Sequence, residues 1–137
     1  MVKRWTPLIS LKEVTPRGRF AADAPFPMGG VKRMGVIPAR WGDGLATSSA
    51  KRVLVRGRSC AVVARPSFEH TRVDLSGVPG ASVGDEVVLL GRGDEEISLA
   101  EVARLHDLDP IQLAPAVREG VARVYLAGDR VVKVRAR

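Results

Sequence analysis

The sequence predicts a mainly β protein, a small β-barrel with two short helices near the C-terminus. Three observations predict it. Short apolar stretches with two-residue alternation recur along the chain, bounded by Gly, Pro and Asp. A helical period enters only after residue 97. The 137 residues are 45% hydrophobic but only 4% aromatic, which suits one domain filled by Val, Leu, Ile and Ala. Many short strands create many edges, and a closed or nearly closed barrel removes them. The expected organisation is a single domain over residues 1–137 with a Pro/Gly-rich loop at about 15–30.

The elements follow in order. "PLISLKEV" is a strand bounded by Pro7 and Pro16. "TPRGRFAADAPFPMGG" is a loop with three prolines and three glycines. "VKRMGVIPA" is a second strand, and Pro38, which cannot donate to a ladder, belongs at its end or on an edge. "KRVLVRGRSCAVVARPS" reads as a hairpin turning at Gly57, with Val53 and Val55 on one face and Arg52, Leu54, Arg56 and Arg58 on the other. "HTRVDLSG" places Thr71, Val73 and Leu75 inward, with Arg72 and Asp74 outward. "VGDEVVLLG" sets a turn before a short apolar strand. Leu99, Val102 and Leu105 then repeat at helical spacing, and Ser98 with Glu101 forms a capping box. Pro110 opens a second helix. "VARVYLAGDRVVKVRAR" is a hairpin around Gly128 and Asp129, with Val132 and Val134 alternating with Lys133 and Arg135.

Composition excludes several classes. No apolar run approaches the ~20 residues that span a bilayer, and "MVKRWTPLIS" lacks the h-region of a signal peptide. The expected compartment is the cytoplasm, with no membrane partner. Cys60 is the only cysteine, so there is no internal disulfide and no multi-Cys zinc site. Two distant histidines make no metal site. "GRGDEE" is not a phosphate loop, because its carboxylates would repel phosphate. The opening methionine and the full set of strands point to a natural protein rather than a piece of a longer one.

The strand order carries a resemblance. "ISLKEV", "VKRMGVIPARWGDG", "RVLVRGRSCAVVARPSFEHTRVDLSG", "VGDEVVLLG", "ISLAEVARLHDL" and "VARVYL" occur in that sequence. Together they resemble the C-terminal β-domain of alanine racemase, from about Pro7 onward. The family patterns are V-P-x-G-Y-A-D-G, V-x-G-x-x-C-x-x-x-G-R-V-x-M-D-x-x-x-V-D and V-G-D-x-V-x-L-G. The resemblance implies that pyridoxal phosphate (PLP) is held by a lysine of a separate (β/α) barrel. A barrel of ~250 residues does not fit in this chain. It also implies a catalytic tyrosine in the β-domain, on the opposite face of the substrate from the lysine. Arg65, Asp43, Cys60 and Asp74 match the family patterns, whereas Phe68 replaces a methionine, Glu69 an aspartate and Trp41 a tyrosine. Glu119 falls where the family has a phosphate-contacting tyrosine. The catalytic tyrosine has no counterpart between Glu13 and Met34, and Tyr125 is the only tyrosine of the chain.

Several readings of the site follow. Arg65 with Phe68 and Trp41 could hold a small carboxylate; the structural alternative pairs Arg65 with Asp74 or Glu69 and lets the aromatics plug the barrel. Glu69 is the weak candidate for a general base in an enzyme of another reaction. In a strand its neighbour His70 would face the other way, and His106 suits a helix end. The net charge of +7 raises a basic nucleic-acid face of Arg52, Arg56, Arg58, Lys133 and Arg135 if the two hairpins lie side by side; a solvated strand surface is the favoured account. The leading expectation is a β-domain without racemase activity of its own that binds a protein or a small anion. It needs no cofactor except PLP through a partner, and its partner is a second copy or a PLP-barrel protein. The alternative enzyme reading is the β-half of a split amino-acid racemase.

Overall fold

The computed structural model describes residues 3–14, 30–39, 52–63, 67, 69–92, 95–105, 107–112 and 122–135. The described residues form ten strands and one seven-residue helix: β1 (Arg4–Pro7), β2 (Ser10–Glu13), β3 (Arg33–Ile37), β4 (Arg52–Val55), β5 (Arg58–Ala61), β6 (Thr71–Asp74), β7 (Glu86–Arg92), β8 (Glu96–Ile97), α1 (Leu99–Leu105), β9 (Arg123–Ala127) and β10 (Arg130–Arg135). Residues 110–112 are helical, so the second predicted helix does start at Pro110. The Pro/Gly-rich stretch 15–29 lies outside the described residues.

The ladders are all antiparallel. One sheet runs β1-β7-β4-β5 with β8 added to β7, and another runs β2-β3-β6. The two join at both sides. A bridge between Val62 and Val73 links the end of β5 to β6. On the other side the chain passes from β1 to β2 through Leu8 and Ile9, whose amides bond Asp85 and Val36 carbonyls at 2.9 Å each. The circuit β1–β7–β4–β5–β6–β3–β2 therefore returns on itself, closed by a bridge and a corner rather than by continuous ladders. It is the expected barrel in this looser, sandwich-like form.

The interior is aliphatic. Leu8, Ile37, Val53, Val55, Cys60, Val73, Leu75, Val87 and Leu89 belong to one buried cluster. Thr71, Val73 and Leu75 point inward as the alternation requires, and the Thr71 hydroxyl donates to the Ala39 carbonyl at 2.7 Å. Gly35 lets Leu8 and Leu75 close over β3: a Cβ there would stand 2.7 and 2.6 Å from their Cδ1 atoms.

A second cluster, Leu54, Val88, Leu90, Ile97, Val102 and Ala103, lies on the outer face of β4 and β7 beneath α1. These two strands are thus buried on both faces. That explains why "VLV" and "VVLL" read as unbroken apolar runs rather than alternating ones.

Arginines fasten the connections. Arg52 grips Glu101 with two parallel hydrogen bonds of 2.9 Å, from Nε and Nη2, and donates to the Glu96 carbonyl at 2.9 Å and to Glu95 at 3.2 Å. This ties α1 to the start of β4. It also changes the helix cap. The Glu101 amide bonds the Ser98 hydroxyl at 3.0 Å as expected, but the Glu101 carboxylate goes to Arg52 instead of returning to the cap, because a bidentate charged pair is the stronger bond. Arg33 donates to the Val78, Pro79 and Ala81 carbonyls and so pins the turn before β7. Glu13 lies 3.1 Å from Arg33 Nε, an ion-pair distance without hydrogen-bond alignment.

The β4–β5 turn is Arg56–Gly57, with φ of 49° and 78°. Two positive values are the I′ pattern, whose twist matches the flanking strands. Arginine is a costly first residue for it. We predict that Arg56→Asn raises the unfolding free energy by about 0.5–1 kcal/mol, since relief of the left-handed backbone strain outweighs the half-exposed arginine's bonds to the Gly80 carbonyl and Asp85. A higher urea midpoint with unchanged slope is the expected reading.

The hydrogen bond to Arg52 holds the Glu101 carboxyl below its ordinary value of 4.5. On acidification the unfolded chain takes up this proton first. The stability from the pair is therefore complete above about pH 4.5 and lost as pH falls through the depressed folded value. Glu101→Gln should cost about 1–3 kcal/mol at neutral pH, with the gap to wild type narrowing in urea titrations below pH 4.5.

Candidate functional site

The described framework brings together the roots of the segments that carry the candidate site. Residues 40–51, with Trp41 and Asp43, leave after Ala39 and return at Arg52. Residues 64–66, with Arg65, leave after Val63, and the chain is described again at Ser67. These roots share one end of the β body. Ile37 pairs with Thr71, Arg52 pairs with Ala61, and the Val63 amide bonds the Arg72 carbonyl at 3.0 Å. Trp41, Arg65 and Phe68 themselves lie outside the described residues, as do Asp43, His106 and Glu119.

Glu69 and His70 are not part of a strand. They sit in a tight turn before β6 that Ser67 organises: its hydroxyl oxygen accepts from the Glu69 amide at 3.2 Å and the His70 amide at 2.8 Å, and its own amide donates to the His70 carbonyl at 2.8 Å. The expectation that the two side chains face apart rested on strand geometry and is corrected here. Glu69 Oε2 lies 3.9 Å from His70 Nδ1. The Glu69 side chain is 80% exposed, however. A carboxylate so placed is surrounded by solvent rather than by the enclosed pocket in which a substrate proton would be abstracted. Ser67 was missed in the sequence; its S-x-x-H spacing is a weak turn signal that a hydroxyl capping two amides makes meaningful.

Asp74 accepts from the Ser76 amide at 2.9 Å, and its Oδ1 also holds the Ser76 hydroxyl, whose oxygen in turn accepts from the Lys32 amide at 2.8 Å. It thus braces the turn after β6 against the start of β3. Cys60 is 3% exposed, and burial pushes its thiol up to about 11, which makes it a packing residue and not a nucleophile.

The basic face breaks up. Arg52 is spent on α1, Arg56 bonds the Gly80 carbonyl and lies 3.5 Å from Asp85, and Arg58 donates to the Gly77 carbonyl at 3.4 Å. Lys133 and Arg135 belong to the β9–β10 sheet, which shares no ladder with β4–β5 among the described residues. The two hairpins do not form one continuous sheet surface, and the three arginines of the first already have internal partners.

No helix among the described residues is long and apolar enough to cross a membrane, and no group of His, Cys, Asp or Glu among them is arranged to hold a metal ion.

Comparison with known proteins gives this framework a family. The model of the alanine racemase C-terminal domain matches residues 2–125. The alanine racemase of Halothermothrix orenii is 28% identical over 123 residues, 88% of this chain and 32% of that protein. That of Syntrophobacter fumaroxidans is 37% identical over 101 residues, 72% of this chain and 27% of the relative. The chain thus spans about a third of these relatives. The crystal structure of alanine racemase from Bacillus anthracis with bound L-Ala-P superposes on 98% of this chain and 35% of its own with a TM-score of 0.85 at 22% identity, a likeness of fold. The chain belongs to the alanine racemase C-terminal domain family.

Proposed function

We propose that the chain is a binding β-domain without racemase catalysis of its own, working in the cytoplasm on a protein partner or on a small carboxylate gripped by Arg65 between Phe68 and Trp41. One observation carries this reading. Racemisation needs two groups on opposite faces of the α-carbon, one to remove the proton and one to return it. The resemblance puts one of these, a phenol, between β2 and β3, and residues 13–34 contain no tyrosine. The only tyrosine, Tyr125, stands 44% exposed on β9.

The described residues do not fit PLP either. A Schiff-base lysine needs an enclosed site that lowers its pKa. Lys3, Lys12, Lys32 and Lys133 are all exposed, and Lys3 pairs with Glu86. The partner this reading calls for is a second protein that carries a PLP-bearing (β/α) barrel, or a second copy of this chain.

The second reading, the β-half of a split amino-acid racemase, is favoured by the 28–37% identity to alanine racemases over most of this chain. In that case the partner also supplies the missing proton carrier.

The test is a racemisation assay with α-proton exchange in D2O. The chain with PLP alone should neither exchange the α-proton of alanine nor form the opposite enantiomer; turnover by the chain alone would defeat the proposal. Purification from the native source should bring down a yellow, PLP-bearing protein, and turnover by that complex selects the split enzyme. Arg65→Ala should abolish retention of a small carboxylate while leaving the melting temperature unchanged.

A further inference from the structure

The last two strands form a sheet, β10-β9, that among the described residues pairs with neither of the others. Val124, Tyr125, Leu126, Val131, Val132 and Val134 on it are 44–60% exposed. The register sorts these residues. Directly opposed side chains share a face. Val124 lies opposite Val134 and Leu126 opposite Val131, which makes one face wholly aliphatic. Arg123 lies opposite Arg135, Tyr125 opposite Lys133 and Ala127 opposite Arg130, which makes the other face basic.

An irregularity between Val131 and Lys133 does the sorting. Plain alternation would set Arg130 beside Val132 and Val134, and Lys133 beside Val131. The extra residue at Val132 shifts the phase so that cations join cations and aliphatics join aliphatics. The alternation expected from the sequence is corrected accordingly. Gly128, at φ 60°, allows the tight turn.

A two-stranded ribbon has no interior and is marginal alone. Its aliphatic face is more stable covered, and the partner can be argued from area and charge. A second copy fits poorly: four half-exposed aliphatics offer a few hundred Å² per copy, and two copies would bury well under the ~1,200 Å² at which specific interfaces begin. It would also bring together two ribbons that each carry Arg123, Arg130, Lys133 and Arg135 against Asp129 alone. A protein docked on the aliphatic face leaves the cations turned away, and one docked on the basic face leaves the aliphatics in water. A ribbon sunk to the headgroup level of an anionic bilayer has apolar material beneath it and phosphates around its rim. Acyl chains take the aliphatic face, while phosphates lie level with the ribbon, where long Arg and Lys side chains reach them.

We propose that the β9–β10 hairpin is a peripheral anchor that lies flat on anionic lipid, with Val124, Leu126, Val131 and Val134 downward. This departs from the sequence-based expectation of no membrane partner, which rested on the lack of a spanning segment, and it is independent of the proposed function.

The test is sedimentation of the full chain with vesicles of phosphatidylcholine alone or mixed with phosphatidylglycerol. Binding should be at least about tenfold tighter to the anionic vesicles and weaken with salt. Leu126→Asp with Val134→Asp should abolish it, and Lys133→Glu with Arg135→Glu should reduce it about tenfold or more. These positions lie outside both core clusters, so an unchanged melting temperature separates lost docking from lost folding. Absence of binding to either vesicle, equal binding to both, or binding indifferent to the substitutions would overturn the proposal. So would a dimer in sedimentation velocity that Leu126→Asp dissolves, which assigns the face to a second copy.

Discussion

Burial of β4 and β7 on both faces is the constraint from which the rest of the molecule follows. Val53, Val55, Val87 and Leu89 point into the barrel, while Leu54, Val88 and Leu90 point outward under α1. A sheet covered on one side only would leave the outward residues in water at roughly 1.5–3 kcal/mol each. The helix is therefore part of the barrel wall's stability. Its attachment through Arg52 and Glu101 joins residues 49 positions apart, and the same guanidinium reaches the backbone of β8. One charged group thus holds helix, edge strand and central strand together.

The basic character of the chain acquires a different meaning in this light. Arg33, Arg52, Arg56 and Arg58 all donate to backbone carbonyls of distant turns or strands. Loops leave carbonyls without ladder partners, and arginine offers five donors in a fixed fork for them. In a small barrel with many turns, several arginines are structural fasteners, and a net charge of +7 overstates the cation available to an anionic partner. Arg130, Lys133 and Arg135 lie together on one face of the last hairpin.

The strand framework was legible because burial writes itself into the sequence with a period of two. Thr71, Val73 and Leu75 stood out, and so did the hairpins around Gly57 and Gly128. Three features were not legible, each for a physical reason. The Arg52–Glu101 pair is long-range, so nothing local showed that the cap's glutamate would be drawn away from Ser98. Val132 is an ordinary strand residue by type, and only the pairing partner shows that it is extra. Glu69 and His70 continue the alternation of β6 on paper, yet Ser67 folds them into a turn because its hydroxyl satisfies two amides at once.

The separation of framework from connections explains how a family fold can persist while residues outside its ladders change. The family matches Cys60 and Asp74 have structural roles here, Cys60 in the core and Asp74 under the Ser76 turn. Changing such residues disturbs packing or leaves buried polar groups unpaired, so selection for folding alone retains them. The departures Trp41, Phe68 and Glu69 fall in or beside connections rooted at Ala39, Arg52, Val63 and Ser67, where the ladders end. Connections of this kind tolerate exchange more readily than ladder residues do. The stability of the strand framework therefore rests on the core and ladder residues it retains. Cys60 and Asp74 thus uphold the strand framework, and the likeness of this chain to its family is a likeness of that framework.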